Sequence, residues 1–412
     1  MFTCDQFGFR KNHTVDDQLL LTYDKVSEWL DSGSVVDVVL FDFAKAFDKV
    51  SHLILIEKLI GLGVGRSLLQ WISDFFVGHR MYVFVSGVRS ELKSVGCGVP
   101  QGSVLGPLLF LVFINHLPSY LISKCKIFAD DLKIYMKIRH GTDLEKQEDL
   151  MGCQRDIDVL SSVATSWGLS LNEDKSVVLR FQRGFVDWNA VGSLSSYHLY
   201  GKPLEYVVSH RDLGVIVDNE LKSHEHIRCT VNKASALCAN ILRSTLCRDL
   251  EFMMPIFIAH IRPSIEFGST VWNTGYLGDL KLLESVQRGW TKKIWGLEDM
   301  SYECRLRHLN LFSVKGRLLR ADIIKCWKIF HGKCSISPLD IFVLPTRTGT
   351  RGHKFKIAHR HSTIECRRRF FSLRVADVWN GLPGCVVELD SLSDFKASLF
   401  GCLGEILFDF VE

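Results

Sequence analysis

The stretch Val35-Val36-Asp37-Val38-Val39-Leu40-Phe41-Asp42-Phe43-Ala44-Lys45-Ala46-Phe47-Asp48 reads as a strand that runs straight into a carboxylate. Its first seven residues are rich in β-branched side chains and are bounded upstream by Gly33-Ser34, which predicts a compact strand over Val35 to Phe41. Ala44 to Ile60 reads as a helix that ends at Gly61 or Gly63. Asp42 therefore stands at the end of a buried strand, where an ionised group is costly unless it meets a metal or a positive partner. The ordinary alternative is that Asp42 caps the helix that follows.

A second acidic strand end lies further along. Lys126-Ile127-Phe128 and Leu132 to Ile138 read as two short strands with Ala129-Asp130-Asp131 at the turn between them. An Asp-Asp pair alone says little: Asp16-Asp17 opens an amphipathic helix predicted from Val15 to Leu30, with Thr14 as cap and Gly33 as stop, and acids there simply complement the helix dipole. Between the two strand ends lie a predicted hairpin, Met81 to Val95 with a turn near Gly87, a glycine-rich loop from Gly96 to Gly102, and an apolar helix from Val104 to Leu117. One single and one double acidic strand end, 88 positions apart around that loop, suit convergence on two Mg²⁺ ions. Mg²⁺ takes oxygen ligands, often one or two carboxylates with substrate phosphates, and two such ions clamp the attacking and leaving oxygens of a phosphoryl transfer.

Composition sets wider bounds. At 412 residues the chain exceeds one average domain, and its 47% apolar and 23% charged residues are ordinary for a folded soluble protein. The formal net charge of +4 leaves the distribution of charge more informative than its sum. Arg347, Arg351, Lys354, Lys356, Arg360, Arg367, Arg368, Arg369 and Arg374 gather against a single acid in that stretch, Glu365. Phe355, Phe370 and Phe371 lie among them, which suits phosphate contacts with base stacking, although a solvated basic face is the plain alternative. Thirteen scattered cysteines with no Cys-x-x-Cys pair read as reduced thiols, and the spacing of Cys229, Cys238 and Cys247 does not match the usual zinc patterns. No secretory leader and no membrane span is expected; the most apolar run, Val104 to Leu117, is too short. Helices alternate with strands from about residue 150 to Leu221, and from His224 to His331 the pattern is helical.

The residues also resemble a known family. Phe41 to Asp48 looks like motif A of reverse transcriptases, Gly98-Val99-Pro100-Gln101-Gly102-Ser103 like motif B, and Phe128-Ala129-Asp130-Asp131 like motif C in its LINE form. Trp167-Gly168-Leu169 with Asn172 and Lys175 is similar to motif D, and Leu213-Gly214-Val215 to the segment that follows in LINEs. Upstream, Gln6-Phe7-Gly8-Phe9-Arg10 is similar to a fingers motif. Downstream, Arg262-Pro263, Glu266-Phe267-Gly268, Trp272 and the ending Trp379-Asn380-Gly381-Leu382-Pro383 with Phe395-Lys396 resemble jockey-like non-LTR elements.

The resemblance implies an α/β right-hand polymerase: palm with partial fingers over 1–221, a helical thumb over 222–334, and a small mixed basic C-terminal domain over 335–412. It implies RNA-directed DNA synthesis with an RNA template, a DNA primer and dNTPs as partners. Asp42, Asp130 and Asp131 would bind two Mg²⁺ ions, with Mn²⁺ as a substitute, and the Phe43 carbonyl would be a further ligand. Phe47 would exclude a ribose 2′-hydroxyl, Gln101 and Gly102 would lie along template and nucleotide, and Lys175 would serve as general acid to the leaving pyrophosphate. Arg10 and Lys11 are the candidates for the triphosphate; Arg351, Lys354, Arg367, Arg368 and Arg369 are those for nucleic acid. The chain begins near the second fingers motif, so an N-terminally truncated element is expected, with weak or absent dNTP turnover. The alternative function is a catalytically impaired nucleic-acid-binding remnant. A nuclear or cytoplasmic location is expected, and the oligomeric state is left open.

Overall fold

Strand β1 (Val35–Phe41) is the middle of the sheet that positions the candidate carboxylates. The computed structural model describes residues 2–139, 141–184, 196–345 and 352–411. Contacts divide the chain into two units, Met1–Gln18 with Gly33–Val208, and Leu19–Ser32 with Ser209–Glu412. Helix α1 (Val15–Asp31) opens where expected: Thr14 Oγ1 accepts from Asp17 N, and an Asp17 carboxylate oxygen accepts from Thr14 N.

The first unit holds a five-stranded sheet in the order β11-β8-β1-β7-β6. Small strands come early: β2 (Arg80–Met81) pairs with β5 (Lys93–Ser94), and β3 (Phe84–Val85) with β4 (Val88–Arg89). The expected Met81-to-Val95 hairpin is thus two short ladders. Ser86 and Gly87 between β3 and β4 both have positive φ, 50° and 84°, as a tight two-residue hairpin turn requires. The main sheet is built from β6 (Lys124–Phe128), β7 (Asp131–Ile138), β8 (Val177–Phe181) and β11 (Glu205–Val207), and the pair β9 (His198–Leu199) and β10 (Lys202–Pro203) stands apart. Strand β1 runs antiparallel to β7, from Val35↔Ile138 to Phe41↔Leu132, and antiparallel to β8.

Two-sided burial explains the near-continuous apolar run of β1. The exception is Asp37, fully buried and directly opposite Arg180. Arg180 Nε and Nη2 donate to the two Asp37 oxygens at 2.7 and 2.6 Å, and Tyr197 Oη adds a third donor at 2.8 Å.

Helices α2 (His52–Gly61), α3 (Arg66–Phe76), α4 (Leu105–Ile114) and α5 (Asp143–Ser166) supply the apolar layer against this sheet. Leu55, Ile72, Phe110, Phe113, Ile157 and Leu160 join Val39, Phe41, Ile127 and Leu132 in one core.

The expected single helix from Ala44 to Ile60 is broken. Ala46–Lys49 makes one 3₁₀ turn after a left-handed Lys45, Val50 is extended, and α2 starts afresh with Ser51 as its cap. The reason lies in another segment: the carbonyls of Phe47 and Val50 accept from Val99 N at 2.9 Å and Gly98 N at 2.8 Å, so they are not free to continue a helical ladder.

The second unit opens with β12 (Ser209–Asp212) and β13 (Val215–Asp218), joined by Leu213-Gly214. Helix α6 (His224–Ser244) follows, and the principal later helices are Leu277–Thr291, Val314–Phe330 and Leu392–Leu403. The helical reading of His224 to His331 matches. Residues 335–412 fall in the same unit as 209–334. Among the described residues no helix is long and apolar enough to cross a membrane.

Candidate active site

The ladder between β1 and β7 ends at Phe41↔Leu132. One step beyond stand Asp42 and Asp131, so neighbouring strands end in carboxylates on the same edge of the sheet. Asp131 is also paired with Phe128 across the β6–β7 turn, which leaves Ala129 and Asp130 as its two linking residues. Ala129 is left-handed, φ 56°.

Burial raises the Asp130 carboxyl above its ordinary value; a hydrogen bond to its own backbone pulls it back, and the nearby Asp42 charge adds to the rise. The Asp42 and Asp130 charges therefore act on each other. Lys175 also reaches Asp42, its Nζ 3.3 Å from Asp42 Oδ2.

Backbone pairing brings Lys175 there. Ala44 N donates to Ser170 O at 2.8 Å and Asn172 N to Asp42 O at 2.7 Å, around an antiparallel bridge between Phe43 and Leu171. This pattern uses the Asp42 carbonyl and the Ala44 amide, so the Phe43 carbonyl takes no part in it.

The loop expected to line template and nucleotide is held against the 3₁₀ turn. Gln101 Nε2 donates to Asp48 Oδ1 at 2.9 Å, and the His52 ring bonds the Gly98 carbonyl at 2.8 Å. Gly98 has φ 90°, and a Cβ there would stand 2.8 Å from Asp48 O. Gly102 has φ 81° in open space, so its demand is conformational alone. Phe47 stacks on Phe110 with ring centroids 4.2 Å apart and meets the edge of Phe9 at 6.5 Å.

Gln6 is a residue that sequence reasoning passed over. Its Oε1 accepts from Ala129 N at 3.1 Å. The only signal for it was membership of the Gln6-to-Arg10 motif, which says nothing of Ala129.

The predicted triphosphate residues divide. The Arg10 guanidinium is spent inside the N-terminal loop, donating to Thr3 O at 2.6 Å and Gln6 O at 2.7 Å, and Lys11 is exposed. The basic segment divides too. Arg351 lies outside the described residues. Arg367 is 3% exposed and bonded to Asp24 Oδ1 at 2.6 Å, so it is an internal ion pair and not a phosphate contact. Arg369 holds Glu365 at 2.8 Å and lies 4.3 Å over the Tyr276 ring. Arg374 holds Asp322 and Arg360 meets Glu28. Lys354 and Arg368 remain exposed. Apart from Glu365, the acids paired here, Asp24, Glu28 and Asp322, come from elsewhere in the sequence, which a local count of charges misses.

The donor set at the sheet edge is all carboxylate and carbonyl oxygen, the chemistry of a hard divalent cation. Among the described residues no three His, Cys, Asp or Glu side chains draw together into a ready metal cluster. Like charges resist such closeness unless a cation offsets them, and Asp130 already registers the repulsion.

Residues 1–217 match the family model described as reverse transcriptase (RNA-dependent DNA polymerase). The RNA-directed DNA polymerase from mobile element jockey of Drosophila funebris is 27% identical over 324 residues, 73% of this chain and 33% of that protein. The probable RNA-directed DNA polymerase from transposon X-element of Drosophila melanogaster is 25% identical, over 71% of this chain and 32% of its own length. The chain spans about a third of the length of these curated relatives. Among solved structures, apo telomerase from Candida tropicalis aligns with a TM-score of 0.41 at 11% identity, over 99% of this chain and 58% of that one.

Proposed function

Since the chain belongs to the reverse transcriptase family, we propose that it is the RNA-directed DNA polymerase of a non-LTR retrotransposon, extending a DNA primer with dNTPs on an RNA template. The observation that carries this reading is the shared strand end: β1 runs into Asp42 where the antiparallel β7 begins at Asp131, in adjoining register, with Asp130 and Lys175 near Asp42.

In this reading Asp42, Asp130 and Asp131, with the Phe43 carbonyl, would hold two Mg²⁺ ions, or Mn²⁺ in their place, which would supply charge stabilisation for the phosphoryl transfer. Lys175 carries the proton for the leaving pyrophosphate on Nζ, and its pairing with Asp42 sets where that proton stands. Phe47, backed by Phe110, presents a rigid ring edge beneath the sugar of the incoming nucleotide. Gln101 and Gly102 lie along template and nucleotide, with Gln101 steadied on Asp48. Lys11 answers the triphosphate, and Lys354 and Arg368 the phosphates of template and primer. The frame is a palm with partial fingers over 1–221, a thumb over 222–334 and a basic C-terminal region over 335–412.

Primer extension on poly(rA)/oligo(dT) tests the reading. The parent chain is expected to extend the primer with dTTP and Mg²⁺ at a low rate, and Asp130→Asn to lose that extension while still binding template and primer. Equal extension by parent and variant would overturn the assignment of the site.

A further inference from the structure

Gln6 sits behind the Ala129-Asp130 turn, fully buried. Its Oε1 accepts from two backbone amides at once, Gly8 N at 2.8 Å and Ala129 N at 3.1 Å. The main chain on either side is fastened to β6 as well: Phe7 N donates to Ile127 O at 2.8 Å, Ile127 N to Asp5 O at 2.9 Å, and Gln6 bridges Ile127 in parallel. Lys126 Nζ closes the same edge on Asp5 at 2.8 Å.

The approach is as tight as backbone allows. A Cβ on Gly8 would stand 2.5 Å from Ala129 N, so only glycine fits beneath the turn. Ala129 meanwhile holds a left-handed φ of 56°, a conformation that a residue with a Cβ keeps only when its surroundings impose it. Both neighbours of the Gln6 carboxamide are N–H donors, which fixes its oxygen toward them. The amide Nε2 is then left buried with no partner in the structure. An apolar side chain there would strand both backbone N–H groups; the glutamine leaves one donor unpaired instead and keeps an acceptor at the turn.

We propose that Gln6 is a positioning residue: its oxygen holds Ala129 left-handed and so aims the Asp130 and Asp131 carboxylates. The assignment rests on the reading of those two aspartates as the groups that hold the metal ions. Gln6→Met keeps the length and volume and removes the acceptor. Gln6→Glu keeps the acceptor.

The experiment uses the full chain with three readouts: hydrogen exchange of peptides spanning Ala129, Mn²⁺ titration followed by water-proton relaxation, and steady-state primer extension. In Gln6→Met the Ala129 amide should lose its protection. Half-saturation by Mn²⁺ should rise about 10- to 100-fold, the loss typical of a removed supporting partner at a metal site. The turnover number should fall by a similar factor while the KM for dTTP stays at the parental value. Gln6→Glu should retain protection at Ala129, and it decides the matter should the methionine variant not fold. Parental protection at Ala129 in Gln6→Met, or loss of that protection in Gln6→Glu, overturns the proposal. So do unchanged Mn²⁺ binding and turnover in Gln6→Met once the amide is exposed. A parent chain that fails to extend a primer, with Ala129 protection and Mn²⁺ binding still lost in Gln6→Met, sinks the polymerase reading and leaves the positioning role standing.

Discussion

Lys175 reaches Asp42 with its Nζ 3.3 Å from Oδ2, although 68% of the Lys175 side chain and 34% of that of Asp42 remain exposed. A pair this open adds little to stability, within about 1 kcal/mol. Its reason for being there is then sought in chemistry. Lys175→Met is expected to leave the melting temperature nearly unchanged and to slow primer extension about a hundredfold or more, the range for loss of a general acid. Single-turnover extension alongside calorimetry checks both; a large drop in melting temperature with unchanged extension would make Lys175 a structural residue.

Asp130 bears a cost that depends on pH. Burial raises its carboxyl above the ordinary 3.8, so between that value and the raised folded value the native chain binds a proton that the unfolded chain has released. Stability from this group therefore falls as pH rises through that window, and the cost persists at neutral pH. Asp130→Asn has no proton to lose. In EDTA it should flatten the pH dependence of urea unfolding in the acid range and unfold at pH 7 no more easily than the parent. A steeper dependence in the variant would contradict the assigned burial.

Phe47 is stacked on Phe110, so its ring is held rather than free to swing. Phe47→Val should relax sugar discrimination, raising rNTP incorporation relative to dNTP, while DNA synthesis partly survives. The lost stacking should cost about 1 kcal/mol. Parallel extension assays with dTTP and UTP give the ratio, and an unchanged ratio would leave Phe47 as a core residue only.

The basic segment should split by substitution. Arg367→Ala strands Asp24 without its buried partner and should destabilise the second unit by about 3–5 kcal/mol. Arg368→Ala and Lys354→Ala should leave stability alone and each lower the salt slope of template-primer binding by about one. Binding isotherms across salt, with urea melts, separate the two classes; a reversed pattern would return Arg367 to the nucleic-acid surface.

Sequence alone located β1, β6, β7 and the strand-end aspartates, because period, β-branching and turn residues are local properties. The break in the predicted Ala44-to-Ile60 helix was not legible, since it depends on carbonyls captured by Gly98 and Val99. Arg367 looked like part of a basic patch because its partner, Asp24, is 343 positions away. Gln6 gave no sign of its role for the same reason: Ala129 is 123 positions distant. What sequence hides here is long-range pairing of polar groups, and that is what decides which charges are available to a ligand.

The Asp37–Arg180 pair carries a last consequence, for the alignment of the strands. A slip of β1 by one residue would turn every side chain to the opposite face, pushing the Asp37 carboxylate away from its guanidinium and carrying Asp42 past Asp131. The cost of a stranded buried charge then falls on every misregistered sheet, and only the aligned one escapes it. A salt bridge remote from the chemistry thus weighs against every alignment but the one in which the acidic ends of the strands meet.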